Sequence, residues 1–122
     1  MTISVLVVDD SPIARKMIRK ALPADWDISI QEAGDGDEAL AIYRSGGIDV
    51  IFLDLTMPRM DGFTLLEKLQ QDDLNCFVIV VSADVQPGAR ERAMKLGAIE
   101  FVPKPIDPQA LREVLREYGV MV

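Results

Sequence analysis

Three stretches, Val5-Leu6-Val7-Val8, Val50-Ile51-Phe52-Leu53 and Val78-Ile79-Val80-Val81, are apolar at every position. A strand with one wet face alternates apolar and polar residues, so unbroken Val/Ile-rich runs belong to strands buried on both faces. Burial on both faces requires helices on both sides, and the sheet built that way is parallel. Two further β-rich runs, Ile28 to Ala33 and Glu100 to Val102, join Ile3 to Val8, Val50 to Leu53 and Phe77 to Val81 to give five strands.

Helix-sized segments lie between and after them. Pro12 to Leu22 carries Ile13, Met17 and Ala21 on one stripe, and Ser11-Pro12 is a cap followed by a good first helical residue. Asp37 to Tyr43 follows an Asp35-Gly36 turn, where Asp35 and Asp37 read as turn and cap residues. Asp61 to Leu69 places Phe63, Leu66 and Leu69 together, while Pro58 and Gly62 shape the loop before it. Pro87 to Leu96 ends at Gly97, and Pro108 to Tyr118 ends at Gly119. Five consecutive βα units predict a doubly wound α/β domain over residues 1–122. The last helix runs almost to residue 122, so no output domain is expected.

Charge and composition exclude several function classes. A formal charge of −7, with Lys and Arg scattered among acidic neighbours, opposes binding to a phosphate backbone. Nucleic acid is therefore not an expected partner. Neither a secretory leader nor an apolar run near the roughly 20 residues of a membrane helix is present, so a cytoplasmic protein without membrane contact is expected. Cys76 is the single cysteine and reads as a small buried hydrophobe. Histidine is absent, which removes Ser-His-Asp triads and His-based metal sites.

The polar residues at the strand ends carry the chemistry. Asp9 and Asp10 follow the first strand, Asp54 the third, Ser82 the fourth and Lys104 the fifth. In an open α/β sheet these carboxyl ends converge on a crevice at the topological switch point, where ligands bind. Three carboxylates brought together repel, and such a cluster is stable chiefly around a divalent cation. Oxygen-only donors suit Mg²⁺, with Mn²⁺ a substitute. A cation with open positions brings phosphate; Lys104 would offer charge and Ser82 a hydroxyl to phosphoryl oxygens. One carboxylate is left as a nucleophile, and an aspartyl phosphate is an established covalent intermediate.

Asp9-Asp10, Leu53-Asp54-Leu55-Thr56-Met57-Pro58-Arg59-Met60-Asp61-Gly62, Val81-Ser82-Ala83 and Lys104-Pro105 resemble the signature of response-regulator receiver domains, of the single-domain CheY-like kind. The resemblance spans the whole chain in identity, order and strand context. It implies a flavodoxin-like (βα)5 fold with strand order 2-1-3-4-5. Asp54 would be the phosphoacceptor, loaded by a histidine kinase or phosphotransfer protein. Asp10, assisted by Asp9, Asp54 and the Thr56 backbone carbonyl, would hold the metal. Lys104 would pair with the acceptor and then with the phosphoryl group, and the Lys104-Pro105 bond would be cis. Ser82 and Phe101 would form the switch pair that couples phosphorylation to the surface. Thr56 and Asp84 would tune dephosphorylation, although Asp84 reads equally as a cap for the following helix. Ile13, Ala14 and Met17 fall on the helix with which receivers meet the phosphohistidine donor; facing the core is the alternative for Ile13 and Met17. Phe101 stands where motor-binding regulators usually carry Tyr.

Other chemistries fit less well. Aspartate-nucleophile phosphatases need a second Asp two residues after the nucleophile, and here that position is Thr56. A dinucleotide module needs a Gly-rich turn after the first strand, and here the turn is Asp9-Asp10-Ser11-Pro12. The expectation is a stand-alone response regulator of a two-component pathway rather than a turnover enzyme. Its output would be a protein contact such as a flagellar switch or chemotaxis phosphatase. A relay or sink in a phosphorelay, or a receiver that no longer takes phosphate, are the alternatives.

Overall fold

The computed structural model describes residues 2–83 and 86–121. Strands β1 (Ile3–Val8), β2 (Ile28–Ala33), β3 (Val50–Leu53), β4 (Phe77–Ser82) and β5 (Glu100–Pro103) alternate with helices α1 (Pro12–Ala21), α2 (Gly36–Arg44), α3 (Gly62–Gln71), α4 (Ala89–Lys95) and α5 (Pro108–Glu117). The strands form one parallel sheet in the order β2-β1-β3-β4-β5. The chain reverses its direction of travel across the sheet between β1 and β3, so loops β1–α1 and β3–α3 open side by side at the carboxyl rim.

The apolar runs divide by parity, as a period of two requires. Leu6, Val8, Ile51, Leu53, Val78 and Val80 face α2, α3 and α4, where Leu40, Leu65, Leu66, Leu69 and Ala93 close one core. Val5, Val7, Val50, Phe52, Ile79 and Val81 face α1 and α5, where Ile18, Ala21, Leu111 and Leu115 close the other. Two dry layers fix the sheet from both sides. The rim residues therefore sit on a rigid frame rather than on loose loops.

Local signals fix most helix starts. Ser11 Oγ accepts from the Ala14 N–H at 3.2 Å, Asp35 Oδ1 from Glu38 N–H at 2.8 Å, and Asp61 Oδ1 from Thr64 N–H at 2.8 Å. Each such cap is worth about 1 kcal/mol. The fourth helix departs from expectation. It starts at Ala89 rather than Pro87, because Gly88 holds φ +86°, a left-handed conformation outside the helical region. Gly97, at φ +110°, ends that segment as expected.

The first helix also differs from the stripe expected for it. Of that stripe Ala21 is buried, joined in the core by Ile18 and Leu22, whereas Ile13 and Met17 are 73% and 56% exposed. Facing the core is thereby excluded for Ile13 and Met17. Cys76 is half-buried against the first core, and burial, followed by the Asp49 charge, pushes its thiol up to about 12. That leaves it protonated and unreactive at neutral pH.

Candidate functional site

Among the described residues, the buried polar side chains are Asp9, Asp54 and Ser82. All three stand at the carboxyl ends of strands. Backbone ladders hold them there: the Asp9 N–H donates to the Ala33 carbonyl at 3.1 Å and the Asp54 N–H to the Val8 carbonyl at 3.0 Å. The Lys104 N–H donates to the Ser82 carbonyl at 3.0 Å, carrying the β4–β5 pairing one step beyond β5. The Lys104–Pro105 bond is cis, as the resemblance implies.

The side chains converge. Carboxylate oxygens of Asp9, Asp10 and Asp54 lie within 4.8 Å of one another, with Asp10 exposed and the other two buried. Lys104 Nζ donates to Asp9 Oδ2 at 2.8 Å and lies 3.8 Å from Asp54 Oδ1. The lysine expected at the Asp54 carboxylate thus stands between two, and its shorter contact is with Asp9. Asp9 Oδ1 accepts from the Ser11 N–H at 3.0 Å. An open cleft of about 680 Å³ runs over this group, lined by Asp10, Asp54, Thr56, Ala83, Gln86 and Lys104 among others.

Three carboxylates facing one ammonium leave an excess of negative charge. Burial raises the Asp54 carboxyl above the usual carboxylate range, and the Asp9 charge pushes the same way. The Lys104 charge and a hydrogen bond from the Thr56 N–H act against it, and Asp10 adds a further upward push. A cation placed among the three would relieve that repulsion. The donor set is all oxygen, which fits a hard divalent ion.

Gly62 explains how the loop after Asp54 closes so tightly. Its N–H donates to the Leu55 carbonyl at 2.9 Å, and a Cβ there would lie 2.6 Å from the Asp54 carbonyl oxygen. Thr56 is exposed at the rim. Ser82 is buried at the end of β4. Phe101 is half-buried against the core on the α4 side and pairs with Val80, two residues before Ser82, so Phe101 and Ser82 share a face of the sheet. Ile13 and Met17 lie exposed on α1; Ala14 and Met17 border an apolar hollow with Pro105 and Ile106. Asp84 lies outside the described residues.

Two features of the site carry no sequence signal. Arg15 donates to the Asp9 carbonyl at 2.7 Å, yet it is one of four basic residues on α1 and nothing in its spacing singles it out. The preference of Lys104 for Asp9 is set by side-chain geometry at the ends of β1 and β5.

A doubly wound sheet with a buried acidic pair, a third carboxylate and a lysine at its switch point defines a class of α/β domain built around an acidic rim. Within that class, the chain belongs to the response regulator receiver domain family, whose pattern matches residues 5–116. It is 37% identical over 111 residues to the chemotaxis protein CheY of Treponema pallidum, covering 89% of this chain and 77% of that protein. It is 39% identical over 112 residues to protein-glutamate methylesterase/protein-glutamine glutaminase 2 of Nitratidesulfovibrio vulgaris, covering 89% of this chain but 30% of that protein. One chain of the CheX–CheY–BeF3–Mg²⁺ complex from Borrelia burgdorferi superposes with a TM-score of 0.84 at 33% identity, covering 95% of this chain and 89% of its own length. Among the described residues, no helix is long and apolar enough to cross a membrane.

Proposed function

We propose that this receiver is a phospho-acceptor switch in which Asp54 carries the phosphoryl group. The observation that carries the reading is Asp54 itself: a buried carboxylate at the end of β3, open to the cleft, with Lys104 Nζ 3.8 Å from one oxygen. An Asp54 oxygen attacks the phosphorus of a phosphohistidine on a histidine kinase or phosphotransfer protein. The O–P bond forms, the P–N bond breaks, and the imidazole leaves with a proton taken up from water. Later, water attacks the same phosphorus and returns free carboxylate and inorganic phosphate.

Such a transfer needs positioning and neutralisation of charge more than acid–base help. Asp10, Asp9, Asp54 and the Thr56 carbonyl would hold Mg²⁺, or Mn²⁺ in its place. When bound, the ion supplies positive charge to the phosphoryl oxygens. Lys104 sits close enough to Asp54 to turn from Asp9 toward a phosphoryl oxygen. Ser82, buried beside the same strand end, provides a hydroxyl to that group. Movement of Ser82 frees space on the face it shares with Phe101, and the ring turns inward, changing the surface of α4, β5 and α5. Thr56, exposed beside the cleft, would tune water access and hence the lifetime of the phosphorylated state, and the resemblance alone gives Asp84 the same role.

The donor protein would dock on the exposed apolar face of α1 at Ile13, Ala14 and Met17. The output is a protein–protein contact rather than turnover of a substrate, in the cytoplasm. The CheY of Treponema pallidum and the Borrelia burgdorferi complex that pairs CheX with CheY support a chemotaxis pathway.

The deciding measurement is intact mass after incubation with a small-molecule phosphodonor, with and without Mg²⁺, for wild type and Asp54→Asn. A Mg²⁺-dependent gain of one phosphoryl group, absent from the variant, is expected. No gain in the wild type would leave a receiver that acts without phosphate.

A further inference from the structure

The Arg15 side chain is 18% exposed and spans the ends of two strands. Its Nη1 donates to the main-chain carbonyl of Asp9 at 2.7 Å, and its Nε donates to Glu32 Oε1 on β2 at 2.9 Å. Glu32 is steadied in turn by Arg19 Nε at 3.3 Å from its other oxygen. A guanidinium is a planar fork, so two bonds to two strands make a stiff brace.

What the brace holds matters more than how tightly it holds it. The Asp9 carbonyl belongs to the planar peptide unit that ends at the Asp10 Cα. Fixing that oxygen fixes the rotation of the plane, and with it the direction in which the exposed Asp10 carboxylate leaves the backbone. The Asp9 side chain is already held by the Ser11 N–H and by Lys104. Arg15 completes the clamp from the main-chain side.

We infer that Arg15 is a positioning residue for the cation site, setting through the Asp9 carbonyl and Glu32 the peptide plane from which Asp10 projects. The inference rests on reading Asp9, Asp10 and Asp54 as that site. Arg15 does not touch the cation or the phosphoryl group; it acts through the backbone.

Charge and positioning predict opposite signs, which makes the test clean. Removing a positive charge near a cation site tightens cation binding by Coulomb's law. Removing a brace that aims a ligand weakens it, by about 10-fold or more for residues that orient metal ligands. The experiment is a calorimetric titration of MgCl₂ into wild type, Arg15→Gln and Arg15→Lys, without phosphodonor, with thermal melts of each metal-free protein. Both variants are expected to bind Mg²⁺ about 10-fold more weakly, Arg15→Lys included, because a lysine keeps the charge but cannot span both partners. An unchanged or tighter Kd in Arg15→Gln overturns the inference, as does wild-type affinity in Arg15→Lys. A residue that is merely structural would lower the melting temperature and leave the Kd of the folded protein alone. Should Arg15→Gln fail to fold, Arg15→Lys decides alone. A wild type that binds no Mg²⁺ overturns the cation-site reading itself, an outcome distinct from loss in the variants only.

Discussion

The two ends of the sheet treat aspartate in opposite ways. At the amino end, Asp25 is exposed and accepts from Arg112 Nη1 and Nη2 at 2.9 and 2.6 Å. Those hydrogen bonds hold its carboxyl below the usual range. Asp72, at the end of α3, also accepts from an arginine, Arg44 Nε at 2.6 Å. At the carboxyl end, Asp9 and Asp54 are buried, Asp10 is beside them, and one lysine serves the group. There burial and like charge raise Asp54 instead of lowering it. A fold in need only of stability would place its carboxylates as Asp25 is placed. The rim keeps charges in tension where the rigid sheet can hold them, which is the condition of a site awaiting a countercharge.

The largest expected effect comes from Lys104→Met. It strips the shared cation from two buried carboxylates, and breaking one side of a buried pair costs about 3 kcal/mol or more. Urea unfolding of the metal-free protein measures it. A loss no greater than that of Arg112→Met would erase the distinction between the two ends.

Next in size is Asp54→Asn, which should stabilise the metal-free domain. The amide removes a desolvated charge that faces Asp9, so the variant is expected to unfold at higher urea than wild type at neutral pH. The pH dependence follows from the raised folded-state pKa. Between 3.8 and that raised value the folded protein binds more protons than the unfolded one, so stability falls as pH rises through the window. The penalty is complete above the folded pKa and gone below 3.8. The gap between Asp54→Asn and wild type should therefore shrink as pH falls from neutral toward 3.8. A gap that stays constant across that range would sink the account of Asp54 as a strained carboxylate.

Much of this contrast could be read from the chain alone, and the reasons are physical. Two-face burial leaves unbroken Val/Ile runs, so β1 and β3 have the bounds expected of them and β4 runs one residue further; the edge strands carry no such run, yet β2 has its expected bounds and β5 runs one residue further. Strand-end position brought Asp9, Asp10, Asp54, Ser82 and Lys104 together because a parallel sheet gathers its carboxyl ends. Periodicity did less well on α1. Ile13, Met17 and Ala21 share a stripe at four-residue spacing, but spacing cannot say which side of the helix meets the sheet: of the three only Ala21 is buried, beside Ile18. Nor can it see Gly88 turning left-handed and delaying α4. Arg15 was hidden for a different cause: its partner is a backbone carbonyl, and a main-chain acceptor leaves no trace in residue type.

The smallest expected effect tests the other half of the contrast. Arg112→Met removes the fork that holds Asp25, but Asp25 is 63% exposed and water takes over its hydrogen bonds. The sign with pH is also reversed. A lowered folded-state pKa contributes stability above 3.8 that is lost as pH falls through the lowered value. Wild type and Arg112→Met should therefore show nearly the same urea midpoint at neutral pH, with any difference vanishing in acid. Salt separates the ends further. At about 1 M the screening length is about 3 Å, so the residual effect at Asp25 should disappear while that of Lys104→Met, in a buried group, persists. A salt-sensitive loss at Lys104 would mean that the rim carboxylates are wetter than their burial in the fold implies, and that the tension attributed to Asp54 is dissipated by solvent before any cation arrives.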